Sequence, residues 1–194
     1  MTNICKILSD SLCDKHFIPR DPNVHGRQAH RYGPIYDLLF HSQAHKVGRP
    51  LKILEIGVAT GISLVIWSNL DFVEHVVGID ILEPEIPLNN KITFYKQDAY
   101  TLETISALKE KHGLFDIIID DGSHAWEHQE FFLKNYDELL SEKGMLYCED
   151  IHTSFLGNLN NIKDDLKLYI IDLSRNINVD NNDYIVLKYK ENAV

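Results

Sequence analysis

From Leu51 to Tyr189, short apolar runs alternate with stretches of helical periodicity, and this alternation limits the possible folds more than any other feature of the chain. The runs Leu51 to Ile56, His75 to Ile81, Ile92 to Tyr95, Phe115 to Ile119 and Met145 to Cys148 are rich in β-branched or aromatic residues, as strands covered on both faces are. Between them, Ile62 to Leu70, Leu102 to Lys111 and Trp126 to Leu140 carry apolar side chains at helical offsets, among them Phe132, Leu133, Tyr136, Leu139 and Leu140. Parallel strands need crossover connections, so the pattern predicts an α/β fold, a Rossmann-like, mostly parallel sheet with helices on both faces. Leu168 to Leu173 and Tyr184 to Tyr189 are joined by an Asn/Asp-rich stretch without helical pattern. They predict an antiparallel pair at the sheet edge, which brings the sheet to seven strands.

The first fifty residues read differently, as an N-terminal helical appendage or lid (1–50) ahead of the main domain (51–194). Ile4, Ile7, Leu8 and Leu12 suggest one helix and Ile35, Leu38 and Leu39 another, with Pro19, Pro22, Gly26 and Gly33 breaking the segment between them. That segment holds Arg20, His25, Arg27, His30 and Arg31. It reads either as a lid over an anionic or polar ligand or as a solvated surface, and a homo-oligomer would pair through it. With 19 Lys and Arg against 29 Asp and Glu, the net charge is −10, which argues against a nucleic-acid partner. No apolar stretch is long enough to span a bilayer, and the N-terminus lacks a basic flank before an apolar run, so the chain reads as soluble and cytoplasmic. Cys5, Cys13 and Cys148 have no Cys-x-x-Cys spacing, which points to reduced thiols and excludes a zinc ribbon.

The loop Glu55-Ile56-Gly57-Val58-Ala59-Thr60-Gly61 follows the first predicted strand and opens a helix. Backbone N–H groups converge at such a place and the helix dipole favours a negatively charged ligand group. A dinucleotide fingerprint would need glycine at Ala59, so a smaller anion such as an amino-acid carboxylate fits better than a pyrophosphate. Asp80 ends the second strand, where a carboxylate can accept hydrogen bonds from two ribose hydroxyls. Asp98, after the third strand, could address an adenine amino group. Each residue alone could equally be a turn or cap, but together they point to a nucleoside cofactor.

On Glu55, Gly57 and Gly61 the chain resembles the class I S-adenosylmethionine-dependent methyltransferases, whose first motif is an acidic residue, a glycine, three residues and a second glycine. The resemblance covers roughly Leu51 to Tyr189. It implies strand order 3-2-1-4-5-7-6 with strand 7 antiparallel, and S-adenosylmethionine across the carboxyl ends of strands 1 to 3.

Asp120-Asp121-Gly122-Ser123-His124 lies just past the fourth strand and Glu149-Asp150-Ile151-His152 at the end of the fifth. Neighbouring strand ends lie about 5 Å apart, so Asp121, Glu149 and Asp150 could converge and would repel unless a cation sat among them. All-oxygen ligation suits Mg²⁺ or another hard divalent cation. Methyl transfer to an alcohol needs the hydroxyl oriented and at least partly deprotonated, which a metal assists and a base such as His124 completes. Successive strand side chains face opposite ways, so Asp120 and Asp121 cannot easily play the same role unless the chain turns between them; Asp120 stands as a candidate on the cofactor side and Asp121 as a candidate metal ligand. His152 is a candidate to support these ligands from behind, and the bland alternative is that Asp121 or Ser123 merely caps the next helix.

This cluster resembles the metal-dependent sugar O-methyltransferases of macrolide and rhamnosyl antibiotic tailoring. The resemblance implies metal ligands at Asp121, Glu149 and Asp150, a base at His124, and a sugar or glycoside acceptor. Asp14-Lys15 and the His30 to Tyr36 stretch are also similar to the family's N-terminal segment. The brief Thr153 to Asp165 connection favours a smaller or more exposed sugar than a macrolide's.

Two rival readings remain. His124-Ala125-Trp126-Glu127-His128 fits the His-x-x-Glu-His pattern of a group of zinc metallopeptidases, with both imidazoles on one helix face. A non-catalytic S-adenosylmethionine-binding protein is the other. Trp67, Phe131, Phe132 and Cys148 read as core, while Trp126 could wall a sugar site by stacking.

Overall fold

A computed structural model describes residues 2–11, 13, 15, 32–173 and 182–190. Leu12, Asp14, the segment bearing Arg20, His25, Arg27, His30 and Arg31, and most of the Asn/Asp-rich stretch lie outside the described residues.

The seven strands are β1 (Leu51–Ile56), β2 (Val73–Asp80), β3 (Ile92–Lys96), β4 (Phe115–Asp120), β5 (Leu140–His152), β6 (Tyr169–Asp172) and β7 (Asn182–Tyr189). They form one sheet of order β3-β2-β1-β4-β5-β7-β6. β1 pairs in parallel with β2 and with β4, while β7 runs antiparallel to both β5 and β6. This is the order and sense that the resemblance implies. Strand order reverses between β1 and β4, and the crevice outside the carboxyl ends of such strands is where open α/β sheets bind ligands.

β5 is much longer than Met145 to Cys148. Leu140 pairs with Phe115 of β4 at one end, and Ile151 and His152 pair with Tyr184 and Asn182 of β7 at the other. The pairing with β4 thus carries the strand back through Ser141-Glu142-Lys143, residues that local pattern does not mark, and the pairing with β7 carries it on to His152. α5 (Trp126–Asn135) stops short of Leu140 because its last turn tightens into a 3₁₀ segment, Tyr136–Leu139. The Thr153 to Asp165 connection contains a further helix, α6 (Leu156–Ile162).

The described residues of the N-terminal helical segment pack on the sheet. α1 (Ile4–Asp10), α2 (Gly33–Val47) and α3 (Ile62–Ser68) cover one face of the sheet, where Ile4, Leu8, Tyr36, Phe40 and Trp67 share a core with Leu51, Ile53, Ile117 and Tyr147. Tyr36 and Phe40 are one helical turn apart, so their rings form a stripe on the sheet side. The Tyr36 ring centroid lies 4.9 Å from those of both Trp67 and Tyr147. α2 ends at Gly48 in the left-handed conformation, and Arg49 then grips Asp116 of β4 with two hydrogen bonds of 2.9 Å. α4 (Leu102–His112) and α5 cover the opposite face, with Ile105, Leu108, Phe132 and Leu133 against Leu54, Ile118 and Leu146. Among the described residues no helix is long and apolar enough to cross a membrane.

Candidate active site

The loops after β1 and β4 meet at Gly57. Its φ of +79° is one that a side chain disfavours, and a Cβ there would overlap the Asp121 carbonyl. The contact is fixed by Gly57 N–H donating to Ile79 O and Asp121 N–H donating to Ile56 O, both at 2.9 Å. Gly61, at φ +91°, starts α3.

Beside this junction a cavity of about 450 Å³ opens at the strand ends. Gly57, Ala59, Asp80 and Asp98 line it, as do Tyr100, Asp121 and His128. The loop amides do not simply await an anion. Val58 N–H (2.7 Å) and Ala59 N–H (3.0 Å) donate to Asp80 Oδ2, and Leu82 N–H donates to Oδ1 at 2.9 Å. The reason is register, since Ile56 pairs with Ile79 and the ends of β1 and β2 therefore adjoin. Asp98 accepts from Tyr100 N–H at 2.9 Å.

Glu55, Gly61 and Asp120 do not line the cavity. Glu55 points behind the loop, fully buried, where its Oε2 accepts from Trp67 Nε1 at 3.0 Å. Burial raises its carboxyl to about 7, with Lys15 pulling the other way. Asp120 is buried too, and that burial raises its carboxyl to about 6. It accepts from Tyr100 OH at 2.7 Å, which fixes a cavity wall. Tyr100 stacks on His128 with centroids 4.2 Å apart and planes 10° from parallel, and His128 Nδ1 shares a 2.6 Å hydrogen bond with Ser123 Oγ.

Asp121 faces the opposite way from Asp120, towards the acidic group at the end of β5. His124 Nε2 lies 3.7 Å from Asp150 Oδ2 and 4.0 Å from Asp121 Oδ1. One ligand atom each from Asp121, His124 and Asp150 lies within 4.8 Å of the others, a set able to hold a metal ion. His124 and Asp150 both adopt left-handed backbone, with φ of +55° and +52°, a conformation that clusters at functional sites. Gln129 Nε2 steadies the β5 end by donating to the carbonyls of Glu149 (3.1 Å) and Asp150 (3.3 Å).

Glu149 lies outside that trio. Its Oε1 accepts from Lys15 Nζ at 2.8 Å and from Tyr36 OH, while Tyr32 OH donates to Asp150 Oδ1. Lys15 Nζ also lies 2.5 Å from Asp121 Oδ2 and 3.5 Å from Glu55 Oε1. Burial works against the Lys15 charge, but Asp121, Glu149 and Glu55 outweigh it and hold the ammonium well above its usual range. The cation that the converging acids require is thus, in part, a lysine of the N-terminal segment. Sequence reasoning marks Lys15 and the His30 to Tyr36 stretch only as similar to the family's N-terminal segment, and His128 only as part of a zinc pattern; it misses the contacts of Lys15, Tyr32 and Tyr36 with the acids and the stacking of Tyr100 on His128. The four-residue spacing of Tyr32 and Tyr36 about a Gly-Pro helix start is the one local signal.

Three other expectations are corrected. His124 precedes α5 with non-helical backbone, whereas His128 lies in its first turn and faces Ser123 and Tyr100. The two imidazoles therefore share no helix face, and Glu127 is exposed, which removes the basis of the zinc-peptidase reading. Trp126 is 8% exposed and packs on Phe155, so it belongs to the core and does not wall a sugar site. His152 turns to Ser154, sharing a 2.7 Å hydrogen bond with its hydroxyl and accepting from its N–H.

The sheet order with its antiparallel β7, together with the glycine loop at the switch point, defines the class I methyltransferase fold. No family model matches the chain. It is similar to 8-demethyl-8-(2-methoxy-alpha-L-rhamnosyl)-tetracenomycin-C 3'-O-methyltransferase of Streptomyces olivaceus, at 26% identity over 133 residues, 65% of this chain and 33% of the relative. Demethylmacrocin O-methyltransferase of Streptomyces fradiae is 27% identical over 133 residues, with the same coverage. The chain thus spans about a third of the length of these curated relatives. Among solved structures, the MycE methyltransferase from the mycinamycin biosynthetic pathway, in complex with Mg, SAH and mycinamycin VI, superposes with a TM-score of 0.74 at 20% identity. That match covers 99% of this chain and 56% of the other.

Proposed function

We propose that the protein transfers the methyl group of S-adenosylmethionine to a hydroxyl of a sugar or glycosylated small molecule, with Mg²⁺ or a similar divalent cation holding the acceptor. The observation that carries this reading is that Asp121 belongs to both halves of the site. It lines the cavity at the strand ends and is a member of the Asp121–His124–Asp150 trio. A donor in the cavity and an acceptor at the trio would therefore be neighbours. The curated relatives are O-methyltransferases by name, and the structural neighbour holds Mg and SAH, which supports the same chemistry here.

The trio fits a divalent cation, because its two carboxylates, Asp121 and Asp150, offer hard oxygen donors at one place, with His124 beside them left free to act as the base. Bound there, the cation would act as a Lewis acid that orients an acceptor hydroxyl and makes it more acidic. The rest of the chemistry falls to the chain. Asp80 keeps lone pairs for ribose hydroxyls while its other bonds stiffen the glycine loop, and Asp98 addresses the adenine amino group. Asp121 and Asp150 position the acceptor. His124 Nε2 takes the hydroxyl proton, and the imidazolium so formed faces both carboxylates. The acceptor oxygen gains the methyl as the sulfonium S–C bond breaks, leaving S-adenosylhomocysteine.

Methyl-labelled S-adenosylmethionine, offered with a panel of glycosides, tests the reading. Label transfer in Mg²⁺ that stops in EDTA supports it. Binding of S-adenosylhomocysteine without transfer to any glycoside contradicts it and favours a non-catalytic binding protein.

A further inference from the structure

Lys15 lies behind the acidic half of the site and is 2% exposed. Its ammonium is 2.5 Å from Asp121 Oδ2, 2.8 Å from Glu149 Oε1 and 3.5 Å from Glu55 Oε1, and it sits 5.7 Å from the Tyr36 ring centroid. Asp121 is thereby divided between two neighbours, with Oδ2 on the ammonium and Oδ1 towards His124. Glu149 Oε1 takes both the ammonium and the Tyr36 hydroxyl. The acid that the sequence offers as a third metal ligand thus spends one oxygen on these two donors and is not among the side chains gathered in the trio.

We infer that Lys15 is a positioning residue for the cation site: it holds Glu149 out of the divalent cation's reach and supplies part of the positive charge that brings the acidic loops together. The inference rests on the cation site of the proposed function. Two consequences follow from charge alone. With Lys15 in place, Asp121 and Glu149 can approach without a metal, so the fold does not depend on one. A divalent cation at the trio also shares Asp121 with an ammonium and is repelled by it, which weakens its hold. Removing the ammonium should therefore tighten divalent binding, because it deletes a repulsion and releases Glu149. A lysine that merely packed, or merely oriented Asp121, would give the opposite sign, since loss of an orienting partner lowers metal affinity.

The test compares the full chain with Lys15→Met and Lys15→Arg, measuring Mn²⁺ binding by calorimetry and thermal unfolding in EDTA or Mg²⁺. Lys15→Met is expected to bind Mn²⁺ about tenfold or more tightly, to melt lower than the parent in EDTA, and to recover in Mg²⁺. Lys15→Arg keeps the charge and should bind within about threefold of the parent. Equal or weaker Mn²⁺ binding by Lys15→Met overturns the inference. Should that variant fold only with metal, the dependence on a cation is the expected result in its strongest form. Should it not fold at all, Glu149→Gln decides: a loss of less than about tenfold in Mn²⁺ affinity fits a Glu149 held by Lys15, whereas a loss of about a hundredfold makes Glu149 a ligand. Failure of the parent to bind Mn²⁺ contradicts the cation site and the proposed function with it. Parent binding without a gain in Lys15→Met contradicts this inference alone.

Discussion

On the cavity side of the site, polar groups are satisfied by neighbours in the chain or in the adjoining strand. Asp80 takes the amides of Val58, Ala59 and Leu82, and Asp98 takes that of Tyr100. On the acidic side they are satisfied from more than a hundred residues away: Lys15 reaches Asp121 and Glu149, Tyr32 reaches Asp150, and Tyr36 reaches Glu149. The cavity half is thus a property of the sheet ends, whereas the acidic half depends on an N-terminal segment folded back over the same sheet. Because Asp121 joins the two, they can be separated by mutation yet must act together.

His124→Ala should break the acidic half alone. A positioned base contributes about 10²–10⁴-fold, so turnover should fall by that factor while S-adenosylhomocysteine affinity, read by calorimetry, stays at the parent value. An equal fall in cofactor affinity would show that the halves are not separable.

Glu55→Gln probes the electrostatics behind the acidic half. Glu55 titrates near 7 in the folded protein against an ordinary 4.5, so the fold binds its proton more tightly than the unfolded chain does. Its contribution to stability is complete below about pH 4.5 and is lost as pH rises through 7. Denaturant unfolding across this window should show a parent slope that the variant lacks, amounting to about 3 kcal/mol at most. Asp120, raised by burial to about 6, has the same sign and leaves the variant a smaller slope. Parallel pH profiles for parent and variant would show Glu55 ionising normally.

Asp80→Ala strikes the other half. It removes the acceptor for the amides of Val58, Ala59 and Leu82 and, on the proposed function, for the ribose, and charge-assisted hydrogen bonds are worth about 1.5–3 kcal/mol. S-adenosylhomocysteine should bind about ten- to a hundredfold more weakly, with Mn²⁺ affinity unmoved. Tyr100→Phe should have the smallest effect, about 1 kcal/mol of stability from the lost bond to Asp120. An unchanged midpoint in denaturant would show that this wall is held by stacking on His128 instead.

What the sequence discloses follows the same division. β1 to β4 are legible because runs such as Leu51–Ile56 and Phe115–Asp120 are mostly apolar and rich in β-branched residues, and Gly57 is legible because only glycine suits a left-handed turn pressed against another backbone. Asp80, Asp98 and Asp121 at the cavity follow from their places at strand ends. The ends of β5 are hidden, because partners in β4 and β7 create them. Lys15 is hidden for the same reason on a larger scale: nothing near it in sequence shows that its ammonium will meet Asp121 and Glu149. The aromatic spacing of Tyr32, Tyr36 and Phe40 marks a buried helix face but not the acids that the two hydroxyls reach.

A crystal grown with Mn²⁺ and S-adenosylhomocysteine, with anomalous data collected for manganese, tests the central claim most directly. The account predicts a manganese peak between Asp121 Oδ1 and Asp150 Oδ2, beside His124, with the homocysteine sulfur of the ligand facing it from the cavity bounded by Gly57 and Asp80. Nucleoside bound elsewhere, or Asp121 and Asp150 turned apart with no metal between them, would contradict it.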